Sequence, residues 1–135
     1  MSNSNFSDTY WNRVNVIASK GVGSKFVSSH IKNTTISNCN FSYINLDESK
    51  MENVKIEGSK LNNGSMSQCK CKNIIWEKTE LEHLNCFKTS LKDMDFTSSN
   101  ISGIILSDDC SELKGVVADV YQAVELAKRL GIIIK

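Results

Sequence analysis

Apolar residues recur at every fifth position over most of the chain. The series begins at Phe6 and reaches Leu106 without one inserted residue. Twenty of its 21 members are apolar, and Gly21 is the exception, whereas an apolar content of 40% would give about eight by chance. A period of five matches neither an α-helix nor a continuous strand, so it predicts a short strand and a corner, repeated.

A second series of residues lies two positions before the first. From Ser4 to Ile104, sixteen of its 21 members are Ser, Thr, Cys, Val or Gly, and the residue between the two series is mostly polar. Residues two apart on a strand face the same side, so the small and the large residue of each unit both point inward. The fifth residue of each unit then forms the corner.

Four corners close a coil of 20 residues, and successive coils stack about 4.8 Å apart through backbone hydrogen bonds. The pattern therefore predicts an all-β solenoid of about five coils, roughly 25 Å long. It also accounts for 14 Asn and 19 Ser in a chain of 135 residues that has no proline. Asn tolerates corner conformations, and small residues let the walls approach one another.

The repeat resembles that of the pentapeptide-repeat family, whose units read approximately A(D/N)LXX. Matching units are Cys39-Asn40-Phe41-Ser42-Tyr43, Ser59-Lys60-Leu61-Asn62-Asn63 and Ser99-Asn100-Ile101-Ser102-Gly103. The resemblance covers residues 4–108 and implies a right-handed quadrilateral β-helix. We divide the chain into a β-helix over residues 1–111 and a C-terminal capping and dimerisation segment over residues 112–135.

Residues 20 apart stack on one side of such a rod, which defines four walls. Walls A, B, C and D are centred on Phe6, Trp11, Val16 and Gly21 and on every twentieth residue after each. The small inward positions of walls B and D hold only Ser, Thr and Cys, whereas walls A and C hold every bulky one, such as Ile44. This difference predicts a period of ten residues and a cross-section with two-fold character.

Wall B is basic although the whole chain is almost neutral, with 16 Lys and Arg against 15 Asp and Glu. Its outward charges sum to +4, since Glu52 and Asp93 oppose six cations. These six are Arg13, Lys32, Lys50, Lys70, Lys72 and Lys92. Two interpretations stay open: the lysines keep stacked strands soluble, or they form a docking surface for an acidic partner. Beside them, Asn33, Asn53 and Asn73 are predicted to form an amide ladder.

The repeat stops after Leu106, and a helix is predicted from Asp119 to Leu130. Asp119 and Gln122 form a capping-box pattern, the apolar residues have helical spacing, and a short strand is predicted at Ile132–Ile134. The segment either caps the last coil alone or also forms a two-fold dimer interface; family members often dimerise through this region. The candidate cap and dimer residues are Val120, Val124, Ala127, Leu130, Ile132, Ile133 and Ile134.

The residue types that carry catalysis or bind metals do not form a recognisable site. His30 and His83 lie on different walls, and no His or Cys spacing suits zinc. The five cysteines are an odd number, which argues for free thiols in the core. We therefore expect a non-enzymatic protein without a cofactor. No signal peptide or membrane-spanning run is evident, so a cytoplasmic location is expected.

These features favour a structural or protein-interaction module that acts through its rod surface on a protein partner of unknown identity. The alternative implied by the resemblance is a DNA mimic that binds DNA gyrase or another topoisomerase, as quinolone-resistance members do. The basic wall B departs from the acidic rods of those members. Direct nucleic-acid binding by wall B is not favoured, because only Tyr10 offers an exposed aromatic ring beside the lysines.

Overall fold

The computed structural model describes residues 2–135, which contain five strands, one short 3-10 helix and one α-helix. The strands are β1 Tyr10–Asn12, β2 Asn15–Ile17, β3 His30–Ser37, β4 Lys50–Glu57 and β5 Lys70–Glu77. The 3-10 helix spans Ser111–Leu113 and α1 spans Val120–Arg129. All strand pairs are parallel, in the order β1, β3, β4, β5, with β2 also paired to β3.

The register of the strands confirms the 20-residue coil. Ile31 pairs with Met51, and Met51 pairs with Cys71. On walls D and A the coils are joined by isolated bridges, such as Lys20 to Asn40 and Lys25 to Asn45. The fold is therefore a β-solenoid followed by a C-terminal helix, as predicted. Three coils contain an eight-residue strand, fewer than the five regular coils expected, since the outer coils have shorter strands or single bridges.

The fifth residue of each unit forms the corner, as the pattern predicted. From residue 3 to residue 103 these residues have a positive φ, with the exception of Ser98; examples are 63° at Tyr43 and 53° at Asn53. Six of the corners in the described residues are Asn, the side chain other than Gly that most readily adopts this left-handed conformation. The surplus of Asn in the composition therefore has a conformational cause.

The corners are of two kinds, and the sequence pattern did not distinguish them. After walls D and A the chain forms a hydrogen-bonded turn: the Ile44 amide donates to the Phe41 carbonyl at 3.0 Å, and the Ser49 amide to the Leu46 carbonyl at 3.2 Å. Between walls B and C, in β3, β4 and β5, the chain passes through its corner as one continuous strand. Adjacent walls thus differ in backbone structure. The two-fold cross-section inferred from side-chain size stays a prediction.

The axis of the rod is filled by the large inward side chains. Ile56, Met66, Leu81 and Cys86 are completely buried, and the remaining space between walls near the N-terminal end is an apolar cavity of about 20 Å³. At that end, the ring of Phe6 stacks on Phe26 with centroids 5.2 Å apart, and Trp11 contacts both rings edge-on. Aromatic packing therefore closes the first coil.

The small inward residues of walls B and D form hydrogen-bonded columns. The Ser29 amide donates to Ser49 Oγ at 3.1 Å, and Ser49 Oγ donates to the Phe26 carbonyl at 2.6 Å. Cys69 Sγ takes the same place one coil later and contacts the Leu46 carbonyl at 2.9 Å. A hydroxyl or thiol here satisfies backbone groups of the preceding coil, so Ser, Thr and Cys are required for their chemistry as well as their size.

The ladder of backbone hydrogen bonds is interrupted after β5. In the described part of the chain, no backbone hydrogen bond joins residues 71–78 to residues 90–97. Walls D and A continue without a break, since the Leu81 amide reaches the Asn100 carbonyl at 2.7 Å. A cleft of about 650 Å³ consequently opens between β5 and the next coil, on walls B and C.

The C-terminal segment closes the rod with fewer residues than predicted. The capping box of Asp119 and Gln122 is confirmed, and Gln122 Nε2 donates to the carbonyls of Phe96 and Ser99 at 2.6 and 2.8 Å. Leu126 is the buried side chain of α1. Val120 and Leu130, predicted to cover the coil, are instead 76% and 54% exposed.

The predicted strand at residues 132–134 is wrong, since these residues form no regular structure. They have no neighbouring strand with which to pair, and β-branched side chains alone do not make a strand. Among residues 2–135, no helix has the length and apolar character needed to cross a membrane.

Candidate interaction surfaces

The basic residues of wall B lie on consecutive strands and point away from the core. Lys50 pairs with Lys70, and Lys32, Glu52 and Lys72 form the neighbouring column. They alternate with buried Met51 and its equivalents, so the pleat turns them outward. Arg13 and Lys92 extend the same wall at its two ends, and both are exposed. The structure therefore assembles the predicted set on one side of the rod.

The six cations of wall B have no ionic partner within residues 2–135. None of them lies within 4.0 Å of a carboxylate in the described residues; the ion pairs there involve Lys55, Lys60 and Lys128. Lys50 and Lys70 are directly opposite on adjacent strands, an arrangement in which like charges repel. Beside them lies a shallow depression of about 240 Å³, floored by Met51 and Cys71. The wall is thus an uncompensated positive surface.

A ladder of side-chain amides runs along one corner of this wall. Asn53 Nδ2 donates to Asn33 Oδ1 at 3.1 Å, and Asn73 Nδ2 donates to Asn53 Oδ1 at 2.7 Å. This confirms the predicted ladder. Asn33 Nδ2 also donates to Asn12 Oδ1 at 3.0 Å. Sequence reasoning missed Asn12, because Arg13 occupies the corner of that coil and the amide lies one residue earlier.

A second surface is formed by apolar residues of the C-terminal segment. Ile133 is 83% exposed, and Ile132 and Ile134 are about half exposed. On α1, Val124 and Ala127 are partly exposed beside Val120 and Leu130. Gly131 ends the helix with φ of 81°, and a Cβ at this position would lie in open space. Hydrophobic side chains clustered in this way are typical of an interface.

The cysteines are free thiols that are buried or partly buried. Burial raises the pKa of Cys69 to about 11 and that of Cys71 to about 12; it also raises the pKa of Cys86. A thiol in such surroundings is a poor nucleophile and a poor metal ligand, since both roles require the thiolate. No three His, Cys, Asp or Glu side chains within residues 2–135 are grouped to hold a metal ion.

The stacked five-residue units and the outward polar walls define a class: a β-solenoid whose surface, rather than an internal pocket, is available for binding. The family model for pentapeptide repeats matches residues 29–68 in eight copies. Residues 29–68 are therefore pentapeptide repeats, as the resemblance predicted. The same register continues before and after the matched residues. No curated protein sequence matches it.

Three solved structures illustrate what the chain is similar to. Rfr23, a pentapeptide repeat protein from the cyanobacterium Cyanothece 51142, is 10% identical, with a TM-score of 0.45 over 85% of this chain and 91% of that one. Full-length QnrB1, a plasmid-mediated fluoroquinolone resistance protein, is 14% identical, with a TM-score of 0.30 over 91% and 100%. HetL of Nostoc, involved in heterocyst differentiation regulation, is 11% identical, with a TM-score of 0.24 over 87% and 90%.

Proposed function

We propose that the protein is a non-enzymatic interaction module whose wall B docks on an acidic surface of a partner protein. The observation behind the proposal is the column of Lys50 and Lys70, which lie opposite each other without an ion pair. An acidic partner would relieve the repulsion between them. Because the strands hold the backbone of the lysines at fixed spacing, binding restricts their side chains but requires little further ordering of the backbone.

Binding of this kind depends on salt and on the sign of the charge. Electrostatic complementarity mainly accelerates association, and added salt screens it. Complex formation should therefore weaken as ionic strength rises. The same wall would present its charges to any acidic surface of matching length, so selectivity for one partner requires the uncharged groups beside the lysines, including the exposed amide ladder.

The test is affinity capture from cells that produce the protein, with Lys50→Glu/Lys70→Glu as the variant. The matched control is Lys25→Glu/Lys88→Glu, which changes the net charge equally on the exposed part of wall A. We expect a partner recovered by the wild type and the control but lost with the wall B variant. Equal recovery by both variants would show that wall B does not bind it.

We further infer that the chain forms a homodimer through its C-terminal segment. The exposed apolar side chains of Val120, Leu130 and Ile133 support this, since water-exposed clusters of this kind are stabilised by burial against a second copy. Light scattering of the full chain and of a form that lacks residues 132–135 tests it. A dimer is expected for the first and a weaker dimer or a monomer for the second.

The DNA-mimic alternative has less support. A mimic of DNA needs an extended negative surface, whereas the strongest uncompensated charge of this rod is positive. A gyrase supercoiling assay with a fluoroquinolone separates the two functions. We expect neither protection nor inhibition at a tenfold excess of the protein over gyrase.

A further inference from the structure

We propose that residues 132–135 of a second copy of this chain bind as a β-strand along the free edge of β5, in the cleft between β5 and residues 92–98. This rests on the homodimer inferred above and specifies how its partner is held. Two observations support it: an internal strand edge without a neighbour, and a β-branched segment without a sheet.

The edge of β5 presents unused backbone hydrogen-bonding groups. In earlier coils, amides at equivalent positions donate to the next coil, as Arg13 does to the Lys32 carbonyl at 3.1 Å and Ala18 to the Ser37 carbonyl at 2.9 Å. In and just after β5 the equivalent amides are those of Cys71, Asn73, Trp76 and Lys78. The described residues contain no such bond for the first three, whereas the Lys78 amide donates to Ser98 Oγ at 3.2 Å. An extended peptide can occupy such an edge by β-augmentation.

The cleft has a structural cause in the residues of the next coil. Asn73 donates its amide to Asn53 and so presents its carbonyl oxygen to the following corner. That corner is Asp93, which has only acceptors and cannot continue the ladder. The corner also becomes a hydrogen-bonded turn, since the Met94 amide donates to the Leu91 carbonyl at 3.1 Å. The continuous strand of earlier coils is therefore not repeated opposite β5.

Trp76 keeps the two coils apart on the inside. Its ring stacks on Phe96 with centroids 6.0 Å apart, and its Nε1 donates to Met94 Sδ at 3.4 Å. The corresponding distance is 5.2 Å between Phe6 and Phe26, whose coils are joined by backbone hydrogen bonds. Because these inner contacts are made by large side chains, the space between the two coils is filled on the inside and the cleft opens on the outer side.

The residues after α1 fit this edge in conformation, polarity and charge. Three consecutive isoleucines have high strand propensity, and all are at least half exposed. The walls of the cleft include exposed Ile75, and their charges nearly cancel, with Lys78 and Lys92 against Glu77, Asp93 and Asp95. A cleft with little net charge and an apolar side suits an isoleucine segment better than a strongly charged peptide.

The segment of the same copy lies on the wrong side of the rod. Gln122, near the start of α1, binds Phe96 and Ser99 beside the cleft, and α1 then runs over residues 99–104. Ten helical residues advance about 15 Å, whereas four extended residues span about 13 Å. The segment would have to reverse over the whole helix to reach β5, so a second copy is the better donor.

Hydrogen exchange at several protein concentrations, read at single amides, tests the proposal. When nine-tenths of the chain is dimeric, exchange at Cys71, Asn73 and Trp76 should be about tenfold slower than in the monomer. The variant Ile133→Lys should abolish both this protection and the dimer seen by light scattering. Tyr121→Lys, a change at a residue of α1 that is as exposed as Ile133, should leave the protection of β5 intact.

The outcomes distinguish this binding mode from the homodimer itself. A dimer that forms without protecting the β5 amides overturns the strand proposal and leaves the homodimer standing, with an interface on α1. Absence of any dimer overturns both. Protection that is independent of chain concentration, or that survives Ile133→Lys, also overturns the proposal, because the second copy is then not the occupant.

Discussion

Gly21 shows how one residue of the repeat depends on a neighbour 20 positions away. It interrupts the apolar series, and the structure supplies the reason: a Cβ at this position would lie 2.2 Å from Cε1 of Phe41. The Phe41 ring is almost completely buried and fills the space that an apolar side chain occupies in other units. The large side chain of Phe41 therefore fills the space that the missing side chain of Gly21 leaves on wall D.

We expect Gly21→Ala to lower the free energy of unfolding by about 1–3 kcal/mol, because the buried ring must leave its rotamer. Urea denaturation followed by circular dichroism measures this. The double variant Gly21→Ala/Phe41→Leu provides the control, since the smaller side chain makes room for the methyl group and should recover part of the loss. Additive effects of the two changes would argue against the contact.

Ser49 illustrates the second residue-scale requirement, the hydrogen bonds of the inward column. Ser49→Ala removes the acceptor for the Ser29 amide and the donor to the Phe26 carbonyl. We expect a loss of about 1–3 kcal/mol in the free energy of unfolding. Ser49→Cys should cost less, because Cys39 and Cys69 occupy this position in other units. Equal losses for Ala and Cys would mean that only size matters.

At the scale of elements, Glu112 attaches the 3-10 helix to the last coils. Its buried carboxylate accepts from the amides of Lys88 and Ser107 at 2.8 and 2.9 Å. Burial acts to raise the pKa of Glu112, but these hydrogen bonds together outweigh it and hold the pKa below its ordinary value. The ionised side chain thus stabilises the folded C-terminal segment.

The lowered pKa fixes the direction of a pH effect. The stabilisation is fully present above the ordinary carboxyl value of 4.5 and is lost as the pH falls through the lower folded-state pKa. We expect Glu112→Gln to cost about 2 kcal/mol at neutral pH and to remove part of the loss of stability in acid. Urea denaturation across this pH range measures both. If the free energy of unfolding of the variant falls in acid as much as that of the wild type, other carboxylates cause the loss of stability.

The individual elements could be predicted to different extents. The strand register and the cap of α1 follow from local patterns: a fixed period of five, and the spacing of Asp119 and Gln122. The buried side of α1 does not follow from such a pattern. Val120, Ala127 and Leu130 have the same helical spacing whichever neighbour the helix contacts. Two hydrogen bonds from Gln122 to the last coil fix the orientation of α1. The apolar pattern of the helix does not indicate that a polar residue makes this contact.

At the scale of the whole molecule, the rod has one weak junction. Its coils interact only with their neighbours, as in other solenoids, so stability is a sum over successive interfaces. The interface after β5 lacks the backbone ladder on two of its four walls. Opening of the rod is therefore expected to begin there, with residues 90–135 separating from the earlier coils.

Hydrogen exchange in dilute solution, where the chain is monomeric, measures this junction. We expect the amides of Cys71, Asn73 and Trp76 to exchange at least tenfold faster than those of Met51, Asn53 and Ile56, which lie one coil earlier within a paired strand. Equal protection of the two sets would place the weakest junction elsewhere.

The sequence by itself determined the coil. A period of five buries both the small and the large inward residue of each unit in one compact arrangement, in which residues 20 apart stack. It also placed the lysines of wall B and the amide ladder, since a fixed register carries any outward pattern onto one surface. Only the tertiary structure decided which corners remain extended, how α1 lies on the last coil, and where the ladder breaks. These depend on contacts between Trp76, Met94 and Phe96 and on the meeting of Asn73 with Asp93, which follow from the packing of whole coils rather than from the period.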